Sequence, residues 1–271
     1  LTHRPTFDAM EIHLKGLHAL VGGGTQGIGK ATAMEIARLG ARVTLLARDA
    51  EALAHEVSEL DASYGQKHLS IAVDLSHTDA LRSAIEAHIK DNGPVDVLVN
   101  NTGGPPPGPA HEADPGAFEQ AFRQHLIAFQ TLVRAIVPGM KERHGGRIIN
   151  VISTSVKTPL PNLGVSNTVR GAVAQWAKTL ANELGPYNIT VNNVLPGATA
   201  TGRLKAIIAN RSKKQGVTEE EAAREMLEEI PLRRFAEPGE LAAAICFLAG
   251  PSAAYINGIN LPVDGGRTAC L

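Results

Sequence analysis

The stretch Gly22-Gly23-Gly24-Thr25-Gln26-Gly27-Ile28-Gly29 follows an apolar run at residues 18–21 and opens a segment in which Ile28, Thr32, Ile36 and Leu39 share one helical face before Gly40. Strand, glycine-rich turn and helix in that order form an anion site. The phosphates of a nucleotide must come within hydrogen-bonding reach of the backbone, and a Cβ would hold them off. The helix start adds free N–H groups and a partial positive charge. Gly23, Gly27 and Gly29 give the bare backbone, with Thr25, Gln26 and Ile28 between them. A glycine-rich turn is often only a tight turn, so the fold rests on what surrounds this one.

Six more short runs rich in β-branched and apolar residues follow, at 42–46, 68–73, 95–100, 147–152, 189–194 and 259–263. Most are nearly continuous in apolar residues, as strands covered on both faces are, and amphipathic segments separate them. This pattern predicts a doubly wound α/β fold: a seven-stranded parallel sheet with helices on both faces. A long helix is expected after Pro115 and another over 166–184. No repeat or low-complexity linker divides the chain, which reads as one domain over 1–271. The charged segment 202–235, inserted before the last strand, is either a substrate lid or a plain solvated helical pair or subunit contact.

Composition narrows the function. With 44% hydrophobic and 20% charged residues and a net charge of −1, the 271 residues give no electrostatic reason for a nucleic-acid or membrane partner. Cys246 and Cys270 form no CxxC pair, and the ten histidines form no helical HxxxH, so neither a disulfide framework nor a metal site is expected. No uncharged run approaches the ~18 residues needed to span a bilayer. Residues 1–15 lack the apolar centre of a signal peptide. The expected compartment is the cytoplasm.

The spacing Gly-xxx-Gly-x-Gly departs from the GxGxxG of the standard Rossmann fingerprint and resembles the short-chain dehydrogenase/reductase family. Other landmarks of that family stand in order. Asp74-Leu75 ends the third run, where the resemblance places adenine. Asn100-Asn101-Thr102-Gly103 ends the fourth. Pro196-Gly197 follows the sixth, with Thr199 and Thr201 behind it, similar to the segment that clasps the nicotinamide amide. Ala236 to Leu241 and Val263-Asp264-Gly265-Gly266 resemble the family's ending. The match runs from about Leu14 to Gly266. It implies a Rossmann fold, a nicotinamide dinucleotide, a small carbonyl or alcohol substrate, and assembly as a homodimer or homotetramer.

Cofactor choice follows from the end of the second run. A carboxylate there would accept hydrogen bonds from the adenosine ribose and repel a 2′-phosphate; this chain has Ala47-Arg48 instead. A guanidinium binds phosphate through a forked pair of N–H groups, so NADP(H) is expected over NAD(H). The competing reading makes Arg48 a surface residue paired with Asp49.

The resemblance also implies a catalytic tetrad of Asn, Ser, Tyr and Lys. Ser153 matches the serine, thirteen residues before the tyrosine position, although Ser155 offers the same chemistry. The YxxxK segment reads Ser166-Asn167-Thr168-Val169-Arg170, so tyrosine is replaced by Ser166 and lysine by Arg170, and His125 stands where the asparagine is expected. A serine hydroxyl is a far weaker acid than a phenol, and arginine does not readily release a proton. Arg170 can still hold a ribose and keep positive charge over the site. His125 and Lys157 are the candidate proton donors. Each has a plainer reading, as a packed helix residue and a solvated loop charge.

Two functions compete at this level. One is an NADP(H)-dependent oxidoreductase interconverting a carbonyl and a secondary alcohol, similar to 3-oxoacyl-[acyl-carrier-protein] reductases. The other is a catalytically impaired nucleotide-binding sensor or scaffold, favoured by the exchanges at three of the four tetrad positions.

Overall fold

The computed structural model describes residues 13–270, so most of the 1–15 segment lies outside the described residues. All seven runs form strands: β1 (His18–Gly22), β2 (Arg42–Ala47), β3 (Leu69–Ala72), β4 (Val97–Asn100), β5 (Gly146–Val151), β6 (Ile189–Pro196) and β7 (Asn260–Val263). Every neighbouring pair is parallel and the order is β3-β2-β1-β4-β5-β6-β7. This is the doubly wound Rossmann sheet. The order reverses between β1 and β4, and in such sheets ligands bind in the crevice outside the carboxyl ends of the strands at that point.

Alternation along the strands explains the two layers of helices. Leu20, Leu98 and Ile148 face one apolar cluster, whereas Val21, Val99 and Ile149 face another. The first cluster is closed by α3 (Thr78–Asn92), α5 (Ala128–Glu142) and α6 (Gly164–Leu184), through residues such as Ile85, Leu132, Ile136, Val173 and Ala177. The second is closed by α1 (Gly27–Arg38) and α9 (Pro238–Ala249), through Ala33, Ile36, Leu241 and Ile245. Each fully buried aliphatic side chain of this kind contributes about 1.5–3 kcal/mol. The edge strands β3 and β7 are less covered, which is why β3 alternates between half-buried and exposed residues.

Helix ends follow from local chemistry. α1 stops where Gly40, at φ +95°, donates to Ala37 O at 2.9 Å. Asp49 caps α2 (Ala50–Ser58) by accepting from Ala52 N at 3.0 Å. The single long helix expected after Pro115 is instead α4 (Pro115–Phe122) and α5 joined through a π-helical turn, Arg123–Ile127. The wider turn holds an additional residue, and His125 within it is fully buried. Segment 202–235 folds as α7 (Gly202–Gln215) and α8 (Glu219–Glu228). Arg211 bonds Glu225 and Glu229 across them, and Arg267 bonds Glu229 from the exit of β7.

A ladder of asparagines crosses half of the sheet. Asn100 of β4 donates through Nδ2 to Asn150 Oδ1, Asn150 to Asn193 Oδ1 and Asn193 to Asn260 Oδ1, each at 2.8 Å. These residues are paired in register along β4, β5, β6 and β7. Three bonds thereby link four polar side chains inside an apolar sheet, with only Asn100 Oδ1 at the end of the row left unbonded.

Candidate active site

The loops after β1 and β4 meet at the switch point. Asn101 Nδ2 donates to Gly22 O at 3.1 Å and tethers them. Their approach leaves no room for side chains. A Cβ on Gly22 would lie 2.7 Å from Asn101 O, and one on Gly29 would strike Gly23 O. Gly23 and Gly27 also need positive φ, +60° and +55°. Gln26 begins α1 without a side-chain cap, and no acidic residue occupies the first turn. The helix start therefore keeps its donors and its partial positive charge directed into the crevice. Thr25 and Ile28 lie on the same loop and first turn, and Gly103 has open space around its Cα.

The other sequence-derived binding residues surround this loop. Arg48, exposed at the end of β2, lies 3.8 Å from Asp74 Oδ2 beyond β3. Its carboxylate neighbour is thus Asp74, while Asp49 is engaged in capping α2. Asp74 accepts from Ser76 N and Oγ at 2.8 and 2.7 Å, bonds that hold its carboxyl below the usual carboxylate range. Leu75 beside it is buried. Pro196 ends β6, and Gly197 donates to Val263 O at 3.0 Å. Thr199 Oγ1 donates to Gly197 O, and Thr201 both donates to Thr199 O and accepts from Leu204 N to cap α7. The Thr201 methyl stands 3.2 Å from where a Gly27 Cβ would be, so the start of α7 abuts the glycine loop. Asn100 points into the sheet, leaving its Oδ1 as a buried acceptor with no partner.

The candidate catalytic residues gather one strand over. Ser153 follows β5 with its Oγ accepting from Ser155 N at 3.1 Å, and the buried Ser155 Oγ has no partner. Ser166 lies in the first turn of α6, half-buried. Arg170, one turn on, is 7% exposed and donates from Nη1 to Val151 O at 2.9 Å. Burial, with a smaller contribution from Arg203, pulls its pKa down to about 10, which leaves it charged at neutral pH. His125 packs edge-on against Phe129 with neither ring nitrogen bonded. Burial, assisted by the positive charge of Arg170, depresses its pKa to about 2. His125 is thus a neutral imidazole near neutral pH, unable to store a proton as imidazolium. Lys157, half-buried, ends the short turn Thr154–Val156 between Ser153 and Ser166.

The proline-rich loop 103–109 is pinned between α6 and α7. Gly108 N donates to Asn162 O at 2.7 Å and Gly164 N to Gly108 O at 2.9 Å, while Arg203 Nη2 donates to Pro105 O at 2.9 Å. Arg203 had no signal in the sequence: it belongs to no motif and sits in a charged segment that looks like solvated surface. Only the approach of α7 to this loop brings it to the site. Among the described residues no group of three or more His, Cys, Asp or Glu is arranged to hold a metal, and no helix is long and apolar enough to cross a membrane.

Comparison with known proteins places this arrangement. A family model described as enoyl-(acyl carrier protein) reductase matches residues 23–268. The chain is 30% identical to 7alpha-hydroxysteroid dehydrogenase of Escherichia coli K12, over 96% of this chain and 97% of that protein. It is 32% identical to 3-oxoacyl-[acyl-carrier-protein] reductase of Vibrio cholerae, over 94% and 98%. Among solved structures, L-sorbose reductase from Gluconobacter frateurii, complexed with NADPH and L-sorbose, superposes with a TM-score of 0.90 at 31% identity, covering 97% of this chain and all of that one.

Proposed function

The chain belongs to the short-chain dehydrogenase/reductase family, and from that premise we propose that it is an NADP(H)-dependent oxidoreductase interconverting a small carbonyl compound and its secondary alcohol. The observation that carries this reading is the cradle at the switch point, where Gly22, Gly23 and Gly29 leave volumes that a Cβ would fill and α1 starts without an acidic cap. Those residues fit a dinucleotide diphosphate. Arg48 at the end of β2 fits a 2′-phosphate, with Asp74 as its partner when no phosphate is there. The NADPH complex of the structural relative supports the choice of the phosphorylated cofactor.

When bound, the nicotinamide supplies or accepts the hydride. The protein must orient the carbonyl, stabilise charge on its oxygen and handle a proton. Ser153 donates from Oγ to the carbonyl oxygen, since its one recorded bond uses Oγ as an acceptor and leaves the hydroxyl proton free to turn. Arg170, buried and fixed by Val151 O, keeps a positive charge beside that oxygen. Ser166 carries the proton on its hydroxyl and must be resupplied, because a serine is too weak an acid to give one up unaided. His125 or Lys157 provides that resupply, His125 only as a relay between its two ring nitrogens. Loss of a strong general acid costs about 10²–10⁴-fold of a much larger acceleration, so turnover survives at a reduced rate.

The chain acts as one domain, with α7 and α8 as the cover of the substrate end, and self-associates as the family resemblance implies. The experiment that tests the reading is a prolonged single turnover of enzyme-bound NADPH with a panel of ketones. Oxidation of the cofactor together with formation of the alcohol is expected. Tight binding without any oxidation would instead identify the nucleotide-binding sensor or scaffold.

A further inference from the structure

Two guanidinium groups approach the same face of Gly104. A Cβ on Gly104 would lie 3.3 Å from Arg203 Nη2 and 3.8 Å from Arg170 Nη2. Gly104, half-exposed and without a side chain, leaves this face open to both. Arg203 reaches it from α7, held by Pro105 O, and Arg170 reaches it from α6, held by Val151 O. Among the described residues neither arginine is paired with a carboxylate, in contrast to Arg38, Arg82, Arg211, Arg234 and Arg267, while Arg147, likewise without one, is held by the Gly146 and Asn188 carbonyls.

This is an unusual charge arrangement. A buried cation is normally paired with an anion, because removing it from water without a partner costs several kcal/mol. Here a second cation stands beside it, and the repulsion is strong enough to help lower the Arg170 pKa. The adjacent buried His125 contributes no negative charge, and its ring nitrogens are unbonded.

We propose that Arg170 and Arg203 form a carboxylate fork, and that the substrate is a small oxo acid, or the matching hydroxy acid, rather than a neutral ketone. The proposal rests on the oxidoreductase reading above and adds the class of substrate. Position selects the chemistry. Arg170 stands one helical turn from Ser166 and is bonded to the strand that leads to Ser153, so an anion held there lies beside the reacting carbonyl. Planar guanidinium groups bind carboxylate through paired N–H bonds. In the reduction, the carbonyl carbon takes a hydride from NADPH and the carbonyl oxygen takes one proton; the carboxylate is unchanged, and NADP⁺ and the hydroxy acid leave.

The test uses the NADPH complex with matched probes: acetoacetate against methyl acetoacetate, and benzoylformate against its methyl ester. The free acid is expected to be preferred by about 10- to 100-fold in kcat/KM, mainly through KM, because a buried donor left without its anion is costly. Arg203→Ala should collapse that ratio towards one while the Kd for NADPH stays unchanged, and Arg203→Lys should restore part of it. Equal or better reduction of the esters overturns the proposal and leaves the reductase reading intact. So does an Arg203→Ala variant that loses NADPH affinity tenfold with its acid preference retained, since the arginine then serves the cofactor diphosphate. If no probe is reduced, the reductase reading fails, and quenching of bound NADPH fluorescence decides the fork. Saturable quenching by the acids that Arg203→Ala abolishes supports it, and its absence overturns it.

Discussion

The entrance to α1 and the start of α6 face the same crevice, yet they are built on different principles. At α1 the structure is set by what is missing: glycines whose absent side chains let two loops touch, and a helix end left uncapped. Nothing else fits, so the motif keeps its form. At α6 the chemistry lies in side chains that project from an ordinary helix, Ser166 and Arg170. Backbone constraints therefore shape the proposed cofactor cradle, and side chains the chemistry proposed beside it.

The largest expected effect breaks the backbone half. Gly29→Ala drives a methyl group into Gly23 O; the overpacking strain is about 1–3 kcal/mol. Affinity for NADPH should fall by about 100-fold, visible as loss of the thermal stabilisation that the cofactor gives the parent. Normal binding would show that the glycine loop does not hold the dinucleotide.

Ser166→Tyr sharpens the side-chain half. A phenol placed one turn from the Arg170 cation regains an acid of useful strength, so kcat for ketone reduction should rise by about 10- to 100-fold. An unchanged or lower kcat would mean that proton delivery does not pass through residue 166. Arg48→Ala probes the far end of the cradle. Removing one exposed guanidinium should lower the preference for NADPH over NADH about tenfold, measured as a ratio of Kd values and weakened by salt. An unchanged ratio would return Arg48 to a surface role beside Asp74.

The last effect concerns stability rather than activity. His125 titrates near 6.5 when unfolded and at about 2 when folded. The unfolded chain thus binds the extra proton between those values. The stabilisation from keeping the ring neutral is complete above about pH 6.5 and is lost as pH falls towards 2, by at most about 1.4 kcal/mol per pH unit. His18, lowered to about 4 by burial and then by Arg42, adds to the upper part of that range. His125→Leu should make stability fall less between pH 7 and pH 5 in denaturant unfolding; an identical slope would place the His125 titration elsewhere.

Much of this was legible in the chain itself. The seven strands, their parallel arrangement and the first helix followed from apolar runs, amphipathic spacing and Gly40, because two-sided burial imposes its own pattern on a strand. Motif order and spacing then tied the glycine loop, Asp74, the Asn100–Gly103 turn and the Pro196–Thr201 segment to one family. Less legible was the helix after Pro115, whose π-helical turn has no signature at Arg123–Ile127 and nevertheless fixes His125 in the interior. The asparagine ladder was equally silent, since Asn150, Asn193 and Asn260 are far apart in the chain and meet only through strand register.

What the order of residues determined alone is the periodic part of the molecule: which segments bury both faces, where glycine leaves the backbone bare, and which side chains stand at the tetrad positions. Only the tertiary structure decided the charges. Whether Arg170 is buried, which carboxylate stands by Arg48, and that Arg203 arrives beside Gly104 depend on elements tens of residues apart being packed together. Burial and proximity set the energy of a charge, and neither is a property of its neighbours in sequence.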